Sequence, residues 1–191
     1  MALLLIFFSA AGAAEDRFSI MQAGEKGFFN MGPAVGDVTS ENAEDSKKDV
    51  LKFDYSIFNG SIIGVWTKSF PVDLAANAVD AVKIGVKVPK AEQLRQVSVK
   101  LEIKGESGIQ IIPLRLGPGW NYLRETVEWN KIGKLREIVY VVSPMYSDKQ
   151  IGGILYFDLD FYRLTFLEKY LTPVKAVMVL ILGCFLALMA A

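Results

Sequence analysis

The sequence contains no histidine and only one cysteine, and its 21 lysines and arginines are balanced by 21 aspartates and glutamates. The absence of histidine excludes catalytic sites of the Ser-His-Asp and Cys-His types and removes the commonest metal ligand. A single cysteine excludes an internal disulfide and a cysteine-based zinc site. Because phosphate recognition needs a basic surface, the zero net charge argues against nucleic-acid binding.

Hydrophobic residues make up 52% of the 191 residues, and much of this excess lies at the two ends of the chain. Residues 1–14 combine a short apolar run with small residues and precede Glu15 and Asp16. This pattern is typical of a secretory signal peptide cleaved after Ala13 or Ala14, although no Lys or Arg precedes the apolar run. The alternative, an N-terminal membrane anchor, is disfavoured because the run is short for a span of about 20 residues.

The other end holds 16 uncharged residues from Ala176 to Ala191. With 171–174 added, this stretch approaches the roughly 17–25 apolar residues of a transmembrane helix. We therefore predict a linker and transmembrane helix over 165–191, either as an anchor or as the first helix of a longer membrane protein. The alternative is a buried core helix. A signal peptide followed by such a helix would place the middle of the chain on the periplasmic or extracellular side of a membrane.

Between the two ends, apolar and polar residues alternate, as in Leu51, Phe53, Tyr55 and Ile57. Strict alternation predicts strands with one buried and one solvated face. Eight strands are expected, over 51–57, 61–68, 82–88, 97–104, 108–116, 120–128, 137–142 and 152–163. Short strands at this spacing predict an all-β antiparallel sandwich of the jelly-roll type over 50–164.

Turn residues separate these strands. Asn59-Gly60 lies between the first two and predicts a β-hairpin. Residues 15–49 differ from the rest because they are acidic and rich in glycine and serine. We predict an initial strand near Arg17–Met21 followed by a long acidic loop.

Three segments follow one another along the chain: first LKFDYSI, then GWNYLRETVEWNKIGKLREIVYVVS, and last GGILYFDLDFYRL. This order resembles the galactose-binding-like jelly rolls, which include several families of carbohydrate-binding modules. The resemblance covers 50–164 and implies a sandwich fold with a binding role. It also implies an acidic residue of the last strand at a structural calcium ion. The family pattern has adjacent acids there, whereas Leu159 separates Asp158 from Asp160 in this chain.

Alternation places Tyr156, Asp158, Asp160 and Tyr162 on one face of the last strand. Two carboxylates two residues apart on a strand are close enough to bind one hard cation. Asp158 and Asp160 are therefore candidate calcium ligands. The alternative is a solvated strand face with Lys or Arg partners.

Sugar binding in folds of this kind uses aromatic rings that stack on the apolar faces of pyranoses. The candidates expected to face away from the aliphatic core are Trp66, Tyr122, Tyr140 and Tyr156, with Arg124 on the same face as Tyr122. The alternative is that these rings serve packing alone, since aromatic residues are favoured in strands, or that a second apolar face meets a membrane or a partner.

Catalysis without histidine would need paired carboxylates, and no phosphate-binding or dinucleotide-binding glycine motif is present. We therefore expect a binding protein and not an enzyme. The sequence favours a membrane-tethered, extracytoplasmic module for carbohydrate or another small polar ligand, acting as a sensor or accessory domain of a larger membrane protein. The alternative is a structural subunit that contacts other subunits of a membrane complex through a face of the sandwich.

Overall fold

The computed structural model describes residues 18–43, 48–58, 60–71, 73–77, 79–145, 149–165, 168–169 and 181. In these residues the strands are β1 (Phe18–Ser19), β2 (Glu25–Met31), β3 (Ala34–Ala43), β4 (Lys48–Ile57), β5 (Ile62–Lys68), β6 (Ala81–Val88), β7 (Val97–Gly105), β8 (Ile109–Leu114), β9 (Gly119–Thr126), β10 (Leu135–Pro144) and β11 (Ile151–Tyr162). Two 3-10 helices cover Ile20–Gln22 and Ala91–Arg95, and one α-helical turn, α1, covers Trp129–Ile132.

The strands form two antiparallel sheets. Sheet A has the order β3-β4-β11-β6-β9, and β1 pairs with β11. Sheet B has the order β2-β5-β10-β7-β8. Each sheet turns one face inward, and the inward side chains of both sheets form one core. The prediction of an all-β antiparallel sandwich is therefore confirmed.

The alternating pattern of the sequence accounts for this core. In β11, Leu155, Phe157, Leu159 and Phe161 are all fully buried. Phe157 lies against Tyr140 of sheet B with ring centroids 4.2 Å apart, so aromatic stacking joins the two sheets at the centre. Each of the eight predicted strands is present with its ends shifted by a few residues.

The turn at Asn59-Gly60 does not form the predicted hairpin. β4 lies in sheet A and β5 lies in sheet B, so the turn carries the chain from one sheet to the other. Gly60 has a φ of +78°, which a glycine adopts at little cost, and Ser61 donates its N–H to the Phe58 carbonyl at 3.0 Å. The dipeptide signals a tight turn, but the pairing of the flanking strands depends on distant partners.

The prediction of a long loop within 15–49 is also wrong. β2 and β3 are full strands, and β3 pairs with β4 over ten residues, from Ala34 opposite Ile57 to Ala43 opposite Lys48. β3 is an edge strand of sheet A, and β2 is an edge strand of sheet B. Edge strands have one neighbour and much exposed surface, so they do not need the apolar alternation on which sequence-based prediction depends.

The described part of the chain contains no helix that is long and apolar enough to cross a membrane. The predicted signal peptide and nearly all of the predicted transmembrane helix lie outside the described residues. Thr165 and Glu168 form a capping box, because each side chain accepts the other residue's backbone N–H, at 3.2 and 3.0 Å. This pairing satisfies the free N–H groups at the start of a helical turn.

Candidate functional site

The outer face of sheet A over β6, β9 and β11 collects most of the predicted binding residues. Ile84, Val86 and Leu159 point into the core, so the residues between them point outward. We call the outward-facing set the platform face; it comprises Lys83, Gly85, Lys87, Trp120, Tyr122, Arg124, Tyr156, Asp158, Asp160 and Tyr162.

Trp120 and Tyr122 form a parallel pair in the first half of β9. Their ring centroids are 5.5 Å apart and their planes differ by 11°. Gly85 of β6 lies directly opposite Tyr122, and a Cβ at this glycine would lie only 2.9 Å from the Tyr122 ring and 3.3 Å from the Trp120 ring. The glycine therefore allows both rings to approach the sheet. Tyr122 is 48% exposed, so much of its ring is accessible to a ligand.

Each of three tyrosines on the platform face has a cation beside its ring. The Lys83 Nζ lies 4.3 Å from the Tyr122 ring centroid, and the Lys87 Nζ lies 5.7 Å from that of Tyr156. The Arg124 guanidinium lies 5.8 Å from the ring centroid of Tyr162 and also forms an ion pair with Glu168 at 3.3 Å. Cation–π attraction holds these side chains along the rings.

Lys48 of β4 bridges the two carboxylates of β11. Its Nζ lies 2.7 Å from an oxygen of Asp158 and 2.7 Å from an oxygen of Asp160. Both aspartates are buried, at 2% and 8% exposure. Burial raises the pKa of Asp158, and Lys48 partly offsets this. Burial alone would lower the pKa of Lys48, but hydrogen bonds to the two aspartates outweigh it and the net shift is upward.

The two aspartates share one face, as predicted, but their surroundings do not fit a structural calcium ion. Calcium takes six to eight oxygen ligands, whereas a lysine ammonium lies between these carboxylates. Among the described residues, no group of three or more Asp, Glu, His or Cys side chains could hold a metal ion. The positive charge between Asp158 and Asp160 is supplied by Lys48.

Trp66 lies on the opposite side of the sandwich, on the outer face of sheet B. Its ring covers Gly27 of β2, where a Cβ would lie 2.6 Å from it, and its Nε1 donates to the Phe28 carbonyl at 3.2 Å. It is also the cross-strand neighbour of Val139, which is 1% exposed. The structure thus brings Tyr122, Arg124 and Tyr156 onto one face and leaves Trp66 on the other.

Tyr140 does not face away from the core as predicted. It is fully buried, stacks on Phe157, and donates its hydroxyl to the Asp158 carbonyl at 3.0 Å. Burial raises the pKa of Tyr140 well above its ordinary value. The alternation misleads because β10 lies at the centre of sheet B and is buried on both faces, so its apolar outward valines look like core residues. Tyr140 cannot contact a ligand in this position.

The sequence interpretation missed Trp120, Lys83 and Lys48 as members of the site. Gly85 offered a signal, since a glycine inside an alternating strand often marks a close approach by another group. No local signal pointed to Lys48, because it lies 112 residues before Asp160 in the chain.

A cleft of 460 Å³ opens between the edges of β8 and β9, beside the platform face. Its walls are mainly aliphatic and come from both sheets: Ile84, Val86, Pro113, Leu114, Leu116 and Leu123. Arg115, Asn121 and Glu125 supply the polar lining. The Asn121 amide donates to the carbonyls of Gly117, Gly119 and Val86, so it fixes the crossing from β8 to β9.

No family model matches the sequence, and no curated protein matches it. Solved structures do. A family 11 carbohydrate-binding module from Clostridium thermocellum, solved with a β-1,3-1,4-mixed-linked tetrasaccharide, aligns with a TM-score of 0.51 at 9% identity over 72% of this chain and 88% of the module. The family 11 module of the cellulase Lic26A-Cel5E of the same organism aligns with a TM-score of 0.55 at 8% identity, over 81% of this chain and 97% of the module. The chain shares the fold of these carbohydrate-binding modules.

A β-1,2-glucanase from Parabacteroides distasonis also aligns, with a TM-score of 0.53 at 12% identity, over 73% of this chain and 23% of the glucanase. Binding modules and an enzyme are thus both among the similar structures. At these identities the likeness establishes the fold, and the function has to be inferred from the site itself. The expectation of a carbohydrate-binding-module-like jelly roll is confirmed as a statement about fold.

Proposed function

We propose that this chain binds carbohydrate on the platform face and is not itself an enzyme. The observation that supports this most directly is the Trp120–Tyr122 pair, whose Tyr122 ring is exposed on the outer face of a fold shared with carbohydrate-binding modules. An aromatic ring offers a flat apolar surface that matches the apolar face of a pyranose.

The surroundings of the pair hold it in place before a ligand arrives. Gly85 sets how closely the rings approach the sheet, and Lys83 packs along the Tyr122 ring. The Asn121 side chain fixes the start of β9 through three backbone carbonyls. A site that is ordered in the free protein loses less entropy on binding, which favours affinity.

The test is calorimetric titration of the full chain with a panel of soluble oligosaccharides and polysaccharides. Tyr122→Ala is expected to weaken binding about tenfold or more, since truncating an aromatic anchor commonly costs over about 1 kcal/mol. Trp66→Ala is the matched control, because it removes an aromatic ring from the other face of the sandwich. Circular dichroism checks that both variants fold.

Two results would contradict this proposal. If no carbohydrate binds, the assignment of function is wrong. If Trp66→Ala abolishes binding while Tyr122→Ala does not, the ligand lies on sheet B and the platform face is not the site.

We further propose that the domain is tethered to a membrane on its extracytoplasmic side and serves as a sensor or accessory domain. The apolar composition of 1–14 and 176–191 supports this, as does the capping box of Thr165 and Glu168, which begins a helical turn just before the second apolar segment. The test is alkaline extraction of membranes from cells that make the full chain. Recovery in the soluble fraction would refute the tether.

A second candidate function, contact with another subunit of a membrane complex, is favoured by the edge strand β8. Ile109 and Ile111 there are 46% and 55% exposed, and exposed apolar residues grouped on an edge are typical of contact surfaces. Cross-linking in cells would capture a partner that is lost in Ile111→Asp. An unchanged cross-linking pattern would exclude this surface.

A further inference from the structure

The charged groups around the Trp120–Tyr122 pair indicate which class of carbohydrate fits there; this inference rests on the function proposed above. Strands β6 and β9 present Lys83, Lys87 and Arg124 outward on the platform face. Neither strand presents a carboxylate on this face, because Glu125, the only acidic residue of the two strands, belongs to the opposite set and lines the cleft. The charged side chains that β6 and β9 present on the platform face are therefore cations, and one of them, Arg124, is paired with Glu168.

The nearest carboxylates on the platform face are not accessible to a ligand on the two rings. Asp158 and Asp160 are buried, and both lie 2.7 Å from the Lys48 ammonium. Further acidic groups of sheet A lie on the far strands β3 and β4, where Glu41 forms an ion pair with Lys52 at 2.6 Å. Arg124 is already paired with the carboxylate of Glu168 at 3.3 Å, so Lys83 is the cation that a ligand on the Tyr122 ring meets first.

The hydrogen bonds that these cations can form favour an anionic glycan over a neutral one. Ammonium and guanidinium groups only donate hydrogen bonds, whereas a sugar hydroxyl both donates and accepts. A neutral glycan on this surface would find few charged acceptors for its hydroxyl protons. A carboxylate of a sugar acid only accepts, and hydrogen bonds between ionised partners are shorter and stronger than neutral ones.

We infer that the platform face binds an anionic glycan that carries carboxylate groups, with the rings contacting the sugar and Lys83 contacting the charged substituent. The geometry places a ring and a cation side by side, since the Lys83 Nζ lies 4.3 Å from the Tyr122 centroid. One uronic acid residue could therefore use both groups at once.

The test compares polygalacturonate with its fully methyl-esterified form, which keeps the same sugar backbone and removes the charge. Titrations use the full chain at low and at moderate salt. We expect the charged polymer to bind about tenfold more tightly and Lys83→Gln to weaken that binding about threefold to fivefold, as for a single exposed charge contact. Binding of the esterified polymer should change less than that of the charged polymer in this variant, because the remaining effect is the loss of Lys83 packing along the Tyr122 ring. Lys100→Gln on the outer face of sheet B is the matched control.

Four outcomes are distinguishable from the expected one. Equal affinity for both polymers, with both lost in Tyr122→Ala, overturns this inference and leaves the proposed function intact. If Lys100→Gln weakens binding as much as Lys83→Gln, the attraction is a general one between a polyanion and lysines, and the inference fails. If neither polymer binds while a neutral glycan does, the preference for charge is wrong. Absence of binding to any glycan refutes the proposed function itself.

Discussion

Replacing Lys48 with methionine tests whether the lysine stabilises the fold by neutralising two buried acids. Methionine keeps much of the apolar stem of the side chain and removes the ammonium group. Asp158 and Asp160 would then be left at 2% and 8% exposure without the cation that lies 2.7 Å from each. The variant therefore isolates the charge from the packing.

The expected loss can be bounded from this burial. Removing one partner of a fully buried ion pair costs about 3–5 kcal/mol, because an uncompensated charge remains inside. The Lys48 side chain is 35% exposed, so solvent already screens part of the interaction. We therefore expect about 2 kcal/mol, which at a typical slope of about 2 kcal/mol per molar lowers the urea midpoint by about 1 M.

The pH dependence provides a second, sharper test. The pKa of Asp158 is already raised above its ordinary value of 3.8 by burial, and loss of Lys48 raises it further. A carboxyl group whose pKa is higher in the folded state than its ordinary value stabilises the folded state fully at pH values below that ordinary pKa, where the group is protonated. That contribution is lost as the pH rises through the folded-state value. The defect in Lys48→Met should therefore be largest near neutral pH and should shrink as the pH falls toward the ordinary pKa of 3.8.

Urea unfolding followed by tryptophan fluorescence at both ends of this pH range measures this effect. Lys52→Met is the control, since Lys52 lies on the same strand and face and pairs with the exposed Glu41. The control should shift the midpoint only slightly at either pH. Equal shifts in the two variants, or a Lys48→Met defect that does not depend on pH, would refute the view that buried carboxylates need this lysine.

Two further predictions concern the platform face and the core beneath it. Gly85→Ala places a Cβ 2.9 Å from the Tyr122 ring, so the glycan affinity measured by calorimetry should fall while the circular dichroism spectrum stays unchanged. An unchanged affinity would show that the position of the rings on the sheet does not matter for binding. Tyr140→Phe removes the hydroxyl that donates to the Asp158 carbonyl, so the free energy of unfolding should fall by about 1 kcal/mol with no change in glycan binding. A loss of binding in Tyr140→Phe would mean that the core bond also positions the site.

The parts of this fold that could be predicted are those in which a strand has one apolar face. In β4 and β11 the buried side chains alternate with polar ones, and the sequence shows that period directly. In β10 the alternation of buried and exposed residues is absent, because five consecutive residues from Ile138 to Val142 are buried, and the pattern therefore predicts the wrong side for Tyr140. Apolar and polar residues alternate only when one face of the strand is exposed to solvent, and a strand covered on both faces has no such face.

The site could be predicted only in part for a different reason. Tyr122 and Arg124 share a face because they are two residues apart on one strand, which the sequence determines. The approach of Lys48 to Asp160 joins residues 112 positions apart, and the separation of Trp66 from Tyr122 depends on which sheet each strand enters. Turn residues such as Asn59-Gly60 do not encode that choice, since a tight turn serves equally between paired strands and between sheets.

The position of β11 has a consequence for the order in which this domain can form during synthesis. It is the last strand of the sandwich in the chain, yet it lies in the middle of sheet A between β4 and β6. Until residues 151–162 have emerged, β3-β4 and β6-β9 have no strand to join them, and the inward row from Leu155 to Phe161 is missing. A growing chain therefore cannot complete sheet A until β11 has emerged, because this one strand joins the two halves of the sheet.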